Sequence, residues 1–162
     1  MGIFDKLLGR KGKANKERLD VSARFRLDRH AFTGTMSKFH VAQEIGSRKL
    51  FGIKFLDDEK TAYFNSRFKG LDKPNEGEIA LQINHPHIVE TYEYGLTTKG
   101  EQYILMEYIN GPGLDVSIRK RDASLFPDRI KLIREMANSI QASSRSSSNF
   151  TACFRAFVAS GI

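Results

Sequence analysis

The chain has 162 residues, 26 Lys or Arg against 19 Asp or Glu, a net charge of +7 and a single cysteine. That length makes about one ordinary domain, and the lone Cys153 excludes a disulfide framework or a cysteine metal cluster and suits a reducing cytoplasm. The excess charge sits at the ends: residues 1–30 carry nine basic against four acidic side chains, residues 31–141 carry fifteen of each, and Arg145 and Arg155 follow. A neutral middle excludes specific nucleic-acid recognition, which asks for a basic face set with stacking aromatics.

In chain order, residues 1–22 read as a basic arm. Ile3, Phe4, Leu7 and Leu8 share one helical face with Lys6, Arg10 and Lys11 beside it, so residues 1–13 suit an anionic membrane surface. A solvated basic tail is the alternative, and such an arm holds polyanions only nonspecifically. The apolar run is too short for a signal peptide or a membrane span. Met1-Gly2 opens like a myristoylation signal, but Lys6 stands where Ser or Thr is needed.

Next, Phe51-Gly52-Ile53-Lys54 lies in an apolar strand pattern, with Lys54 either on the solvated side of an edge strand or serving as a placed cation. Glu76 to Ile83 has helical apolar spacing at Ile79 and Ile83, and runs into Asn84-His85-Pro86-His87-Ile88-Val89. Thr91–Gly95 and Gln102–Ile109 flank a Thr97-Thr98-Lys99-Gly100 turn, predicting a hairpin. Pro127-Asp128 opens a helix with Ile130, Ile133, Met136, Ala137 and Ile140 at helical spacing. Asp and Glu then vanish from Gln141 onward, and Ser143 to Ser148 is of low complexity apart from Arg145, so residues 142–162 are expected to be a disordered tail.

These pieces, in this order, resemble the ATP-holding small lobe of the protein kinases. Phe51-Gly52-Ile53-Lys54 is similar to the Val-Ala-Ile-Lys strand, whose lysine holds the α- and β-phosphates. Asn84 to Val89 resembles the turn after the kinase regulatory helix. Spacing from that turn selects Glu76 as the carboxylate pairing with Lys54, with Glu78 as the fallback. Gln102–Ile109 looks like the strand into the hinge: Met106 falls at the gatekeeper position, and the Glu107 carbonyl and Ile109 amide face the adenine edge. Leu114–Lys120 resembles the helix after the hinge, with Asp115 near the ribose-contact position.

The resemblance implies an α+β fold: a small lobe of about five antiparallel strands and one regulatory helix within residues 23–110, then two helices of an incomplete large lobe within 111–141. It implies ATP as the cofactor and serine/threonine-kinase-like ancestry, with Lys54 and Glu76 as a phosphate-positioning pair and Gly34, Val41, Gly52, Met106, Glu107, Ile109 and Asp115 on the nucleotide side. It also exposes departures. The stretch Gly34-Thr35-Met36-Ser37-Lys38-Phe39-His40-Val41 keeps only Gly34 and Val41 of Gly-x-Gly-x-x-Gly-x-Val, with Met36 and Phe39 at the other glycine places. Gly52 replaces the alanine that packs on adenine. No histidine precedes Arg-Asp and no Asp precedes Phe-Gly, so the magnesium ligands and the catalytic aspartate are missing; Arg121-Asp122 reads as a surface pair. A complete kinase fold needs roughly 250 residues. The expectation is a truncated kinase-like chain with weak or absent ATP binding and no phosphotransfer of its own. The alternatives are a noncatalytic, pseudokinase-type interaction module that meets a protein partner through the exposed lobe, or the product of a frameshifted kinase gene. The expected location is cytoplasmic, with peripheral membrane attachment through residues 1–13.

Overall fold

The computed structural model describes residues 13–66, 75–111, 113–123 and 125–146. Its elements, in order, are β1 (Lys13–Ala14), α1 (Val21–Arg24), β2 (Phe25–Thr33), β3 (Ser37–Glu44), β4 (Leu50–Leu56), α2 (Asp58–Ser66), α3 (Glu76–Gln82), β5 (Thr91–Leu96), β6 (Gln102–Glu107), α4 (Leu114–Arg119) and α5 (Leu125–Ser146). The sheet runs β1-β5-β6-β4-β3-β2. Strands β2 to β6 pair antiparallel as expected, and the two residues of β1 add a parallel edge beside β5.

β4 lies inside the sheet and, Lys54 apart, has apolar or small residues on both faces, which is why it reads as a nearly continuous hydrophobic run. Side chains on neighbouring strands share a face wherever residues stand opposite. One face carries the main core: Phe51 and Ile53 of β4 pack with Ala42, Tyr103, Leu105, Phe25 and Leu19. Phe51 meets Phe25 and Tyr92 edge-on at 5.9 and 5.7 Å between centroids, a favourable quadrupole arrangement.

Part of the expected arm belongs to this core. Asn15 N donates to the Tyr94 carbonyl at 2.7 Å, Leu19 N to that of Leu96 at 2.9 Å, and Leu19 is buried. Basic composition marks solvated side chains but says nothing of a backbone pairing with a sheet edge. Arg24 fastens the crossing. Its guanidinium reaches Glu44 at 3.2 Å and the buried Glu93 at 2.8 Å, and Tyr103 Oη donates to Glu93 at 3.0 Å. Unpaired, a buried Glu93 would cost several kcal/mol. Burial, together with the charge of Glu93, pushes the Tyr103 hydroxyl well above its ordinary pKa. The apolar face of Ile3, Phe4, Leu7 and Leu8 lies outside the described residues, as does Cys153.

Two helices were not foreseen. α1 is a single turn capped by Asp20, whose carboxylate accepts from Ala23 N at 3.1 Å. α2 lacks an apolar stripe; it starts because Asp57 Oδ1 accepts from Lys60 N at 3.1 Å and because Asp58 and Glu59 suit the positive end of the helix. α5 begins at Leu125 with Pro127 in its first turn, where a proline is tolerated, and continues past the composition change at 141 to Ser146. Once a helix is nucleated each further residue adds a hydrogen bond, and serine is only a modest helix former rather than a breaker. Residues 147–162 lie outside the description.

Candidate nucleotide-facing site

The second face of the sheet is assembled from three strands. Register sets Phe39 opposite Lys54 and Lys54 opposite Ile104; one step along, Val41 faces Gly52 and Gly52 faces Met106. Four of the residues assigned from sequence, Val41, Gly52, Lys54 and Met106, thus share one surface. Across it lies α3.

α3 starts where Asn75 Oδ1 accepts from Glu78 N at 2.8 Å, with Glu76 and Glu78 in its first turn where the helix dipole favours negative charge. The helix lies close to β5. A Cβ added at Gly77 would stand 2.5 Å from Tyr94 Cβ, so only glycine fits there. This approach carries Glu76 over the sheet, and Glu76 Oε1 accepts from Lys54 Nζ at 2.5 Å. The Lys54 side chain is 11% exposed and that of Glu76 29%, so the ion pair is partly shielded from water and worth more than an exposed one. Glu78 points into solvent. Of the two carboxylates, the geometry selects Glu76.

The opposite end of the face is different. Between β2 and β3 the chain turns tightly, with Gly34 N donating to Ser37 O at 2.9 Å and the Met36 carbonyl accepting from Asp57 N at 3.0 Å. Phe39 is a residue of β3, and its ring lies against Gly52: a Cβ at position 52 would meet Phe39 Cε2 and Cζ at 2.7 Å and Met106 Cγ at 3.1 Å. The Phe32 ring from edge strand β2 backs that of Phe39 at 6.3 Å, tilted by 51°.

The remaining assigned residues are dispersed along the exit from the sheet. Glu107 ends β6, its amide held by the Glu90 carbonyl at 2.8 Å, and Ile109 is exposed. Asp115 lies in α4 with its carboxylate engaged by Arg119 of the next turn, an exposed pair of small energetic weight. The turn before β5 touches α5, where His87 Nδ1 lies 4.0 Å from Glu135 and Ser139 Oγ donates to the His87 carbonyl at 3.4 Å.

Known proteins now supply a frame. A Mycobacterium tuberculosis PknI kinase domain superposes with a TM-score of 0.56 at 21% identity, covering 76% of this chain and 49% of that domain. The chain has the fold of a protein-kinase small lobe. In sequence, it is 34% identical over 89 residues to CBL-interacting serine/threonine-protein kinase 18 of Arabidopsis thaliana, covering 54% of this chain and 16% of that protein. It is 27% identical over 121 residues to serine/threonine-protein kinase PknH of M. tuberculosis, covering 73% of this chain and 18% of that protein. The chain therefore spans less than a fifth of the length of either relative. No protein-family model matches it.

Within this small lobe the fit to ATP is divided. Lys54 presents a fixed cation suited to phosphates, whereas the surface around Gly52, where the purine of such a lobe would lie, is covered by Phe39. Gly77 and Asn75, which set the helix at its working distance, carry no kinase motif. Asn75 was legible as an Asn three residues before Glu78, the spacing of a capping box; Gly77 became legible only with the packing.

Proposed function

We propose that this chain is a serine/threonine-kinase-like domain with a degenerate ATP-binding small lobe, and that these 162 residues transfer no phosphate on their own. The observation that carries the reading is the Lys54–Glu76 pair, assembled at 2.5 Å on the sheet face that the register also gives to Val41, Gly52 and Met106. ATP, when bound to such a lobe, supplies the phosphoryl group. Here Lys54 would attract its phosphates and Glu76 would hold Lys54 in place. Phosphoryl transfer rests almost wholly on positioning and electrostatic stabilisation, and the sequence has neither a His-Arg-Asp aspartate to accept the hydroxyl proton nor an Asp-Phe-Gly aspartate for magnesium. Lys54 has nothing here with which to complete the reaction.

The test is incubation of the purified chain with labelled ATP, magnesium and a generic Ser/Thr substrate, beside Lys54→Met. No transfer is expected from either form. Turnover that disappears with Lys54→Met would overturn the reading.

A noncatalytic interaction module is the second reading, favoured by α5, whose Ile130, Ile133 and Met136 are exposed along one side. Such a stripe on a 22-residue helix suits a protein surface. A cytoplasmic location, with residues 1–13 resting on anionic lipid, completes the proposal. Among the described residues no helix is long and apolar enough to cross a membrane. Deleting residues 1–13 is expected to abolish sedimentation with phosphatidylserine vesicles, and equal sedimentation of both forms would contradict that attachment.

A further inference from the structure

We propose that the Phe39 ring is the occupant of this lobe's purine seat and that Phe39 and Gly52 form a matched pair deciding whether the face admits an adenine nucleotide at all. The inference rests on reading the face as nucleotide-facing and adds what controls it.

Three observations converge. The register puts Phe39 on the same surface as Lys54, Gly52 and Met106, in the middle of the site rather than at its rim. The ring atoms Cε2 and Cζ stand where even the smallest side chain at position 52 would collide, 2.7 Å from its Cβ, while carbon atoms in contact need about 3.5 Å or more. Glycine at 52 and phenylalanine at 39 are therefore complementary: the ring fills the volume that the missing side chain vacates. Finally, the backbone of Phe39 is held by its surroundings. It belongs to a strand paired on both sides, opposite Phe32 of β2 and Lys54 of β4, and is backed by the Phe32 ring at 6.3 Å. Bending the Gly34–Met36 turn does not carry the ring away, because its backbone is fixed in the ladder; only a rotation of the side chain does.

A purine seats by laying its face on the backbone and small side chains of this surface, and Phe39 already makes that contact. The nucleotide must displace the ring, so its apparent affinity falls by the fraction of molecules in which the ring is out. The Lys54–Glu76 pair lies outside the blocked volume and stays assembled. The lobe thus combines an intact phosphate end with a closed purine end.

The experiment uses the full chain and adenosine, which needs neither phosphate contacts nor metal. Amide chemical shifts are followed to several millimolar adenosine for the wild type, Phe39→Gly and Phe39→Val; valine keeps a good strand former at position 39 if glycine loosens β3. The wild type is expected to show no saturable shift, and both variants a dissociation constant at least about tenfold below the wild-type limit, with shifts at Gly52 and Met106. If the wild type binds as tightly as Phe39→Val, the face is nucleotide-binding and the proposal alone falls. If no form binds, the nucleotide reading of the face falls and takes the proposal with it.

Melting temperatures close the cycle. Gly52→Ala is expected to lower Tm by about 5 °C in the wild type, because the ring must leave, and to leave it unchanged or raise it in Phe39→Val. Equal effects in both backgrounds would show that ring and glycine are not packed as a pair, and would overturn the proposal.

Discussion

Lys54 and Gly52 lie two residues apart on β4 and face the same way, yet their surroundings have taken different courses. Around Lys54, the carboxylate, the helix that carries it and the glycine that lets the helix approach are all in place. Around Gly52, the Phe39 ring fills the space that a side chain at that position would need. An ion pair asks for two side chains and one helix position, and it stabilises the fold without any ligand, so structural reasons are enough to keep it. A phosphate loop asks for several glycines at once, each of which weakens a strand unless a ligand uses it. A phenylalanine in their place restores strand propensity and buries apolar surface. The difference between the two ends is one that side-chain packing alone accounts for.

The largest expected effect comes from breaking the assembled end at its closest contact. Gly77→Ala improves helix propensity by about 1 kcal/mol, but its Cβ has no room beside Tyr94. A net loss of about 1–3 kcal/mol is expected, with chemical-shift changes at Lys54 as α3 is pushed off the sheet. Denaturant unfolding checks it, and a stabilised variant would show that α3 has freedom to shift.

Glu76→Gln follows. It leaves the Lys54 ammonium largely shielded and facing a neutral partner, at a cost of about 1–2 kcal/mol. Glu78→Gln, on the solvent side, should stay within about 0.5 kcal/mol. Equal losses at the two positions would remove the distinction between them.

The opposite face offers a control with a pH signature. Tyr103 is held neutral in the fold by burial and by the charge of Glu93. Its folded pKa is raised, so above the unfolded value near 10 the unfolded chain releases a proton that the folded chain keeps. Stability therefore falls as pH rises past that point. Tyr103→Phe should lose about 1 kcal/mol at neutral pH through the missing hydrogen bonds and flatten the alkaline decline, while the shifts of Lys54 and Glu76 stay unchanged. Urea midpoints between pH 8 and 11 supply the comparison; an unflattened decline would assign it to other groups.

Legibility in the sequence was divided as well. The β5–β6 hairpin and the start of the long helix were readable because each rests on local spacing, a glycine turn between β-rich runs and a helical repeat after a proline; the pairing of Lys54 with Glu76 came only from the resemblance to the kinase lobe, since an apolar strand ending in a cation does not by itself name a partner. Fold features that depend on distant backbone were hidden. Lys13 and Ala14 join the sheet through β5, some eighty residues onward, and nothing in a basic, polar stretch announces an edge strand. α2 has no apolar periodicity, and its start is marked by the Asp57 cap and the acidic first turn. In the site, Phe39 was visible as a misfit among expected glycines, but its partnership with Gly52 needs the β3–β4 register before either residue explains the other.

The most direct test of the account is a set of nuclear Overhauser contacts from the Phe39 ring in the isotopically labelled chain. Strong cross-peaks from the Phe39 ε and ζ protons to the Gly52 α protons are predicted, together with slowed exchange of the Lys54 ammonium beside Glu76. A Phe39 ring that sees only Phe32 and solvent, with Gly52 open, would contradict it.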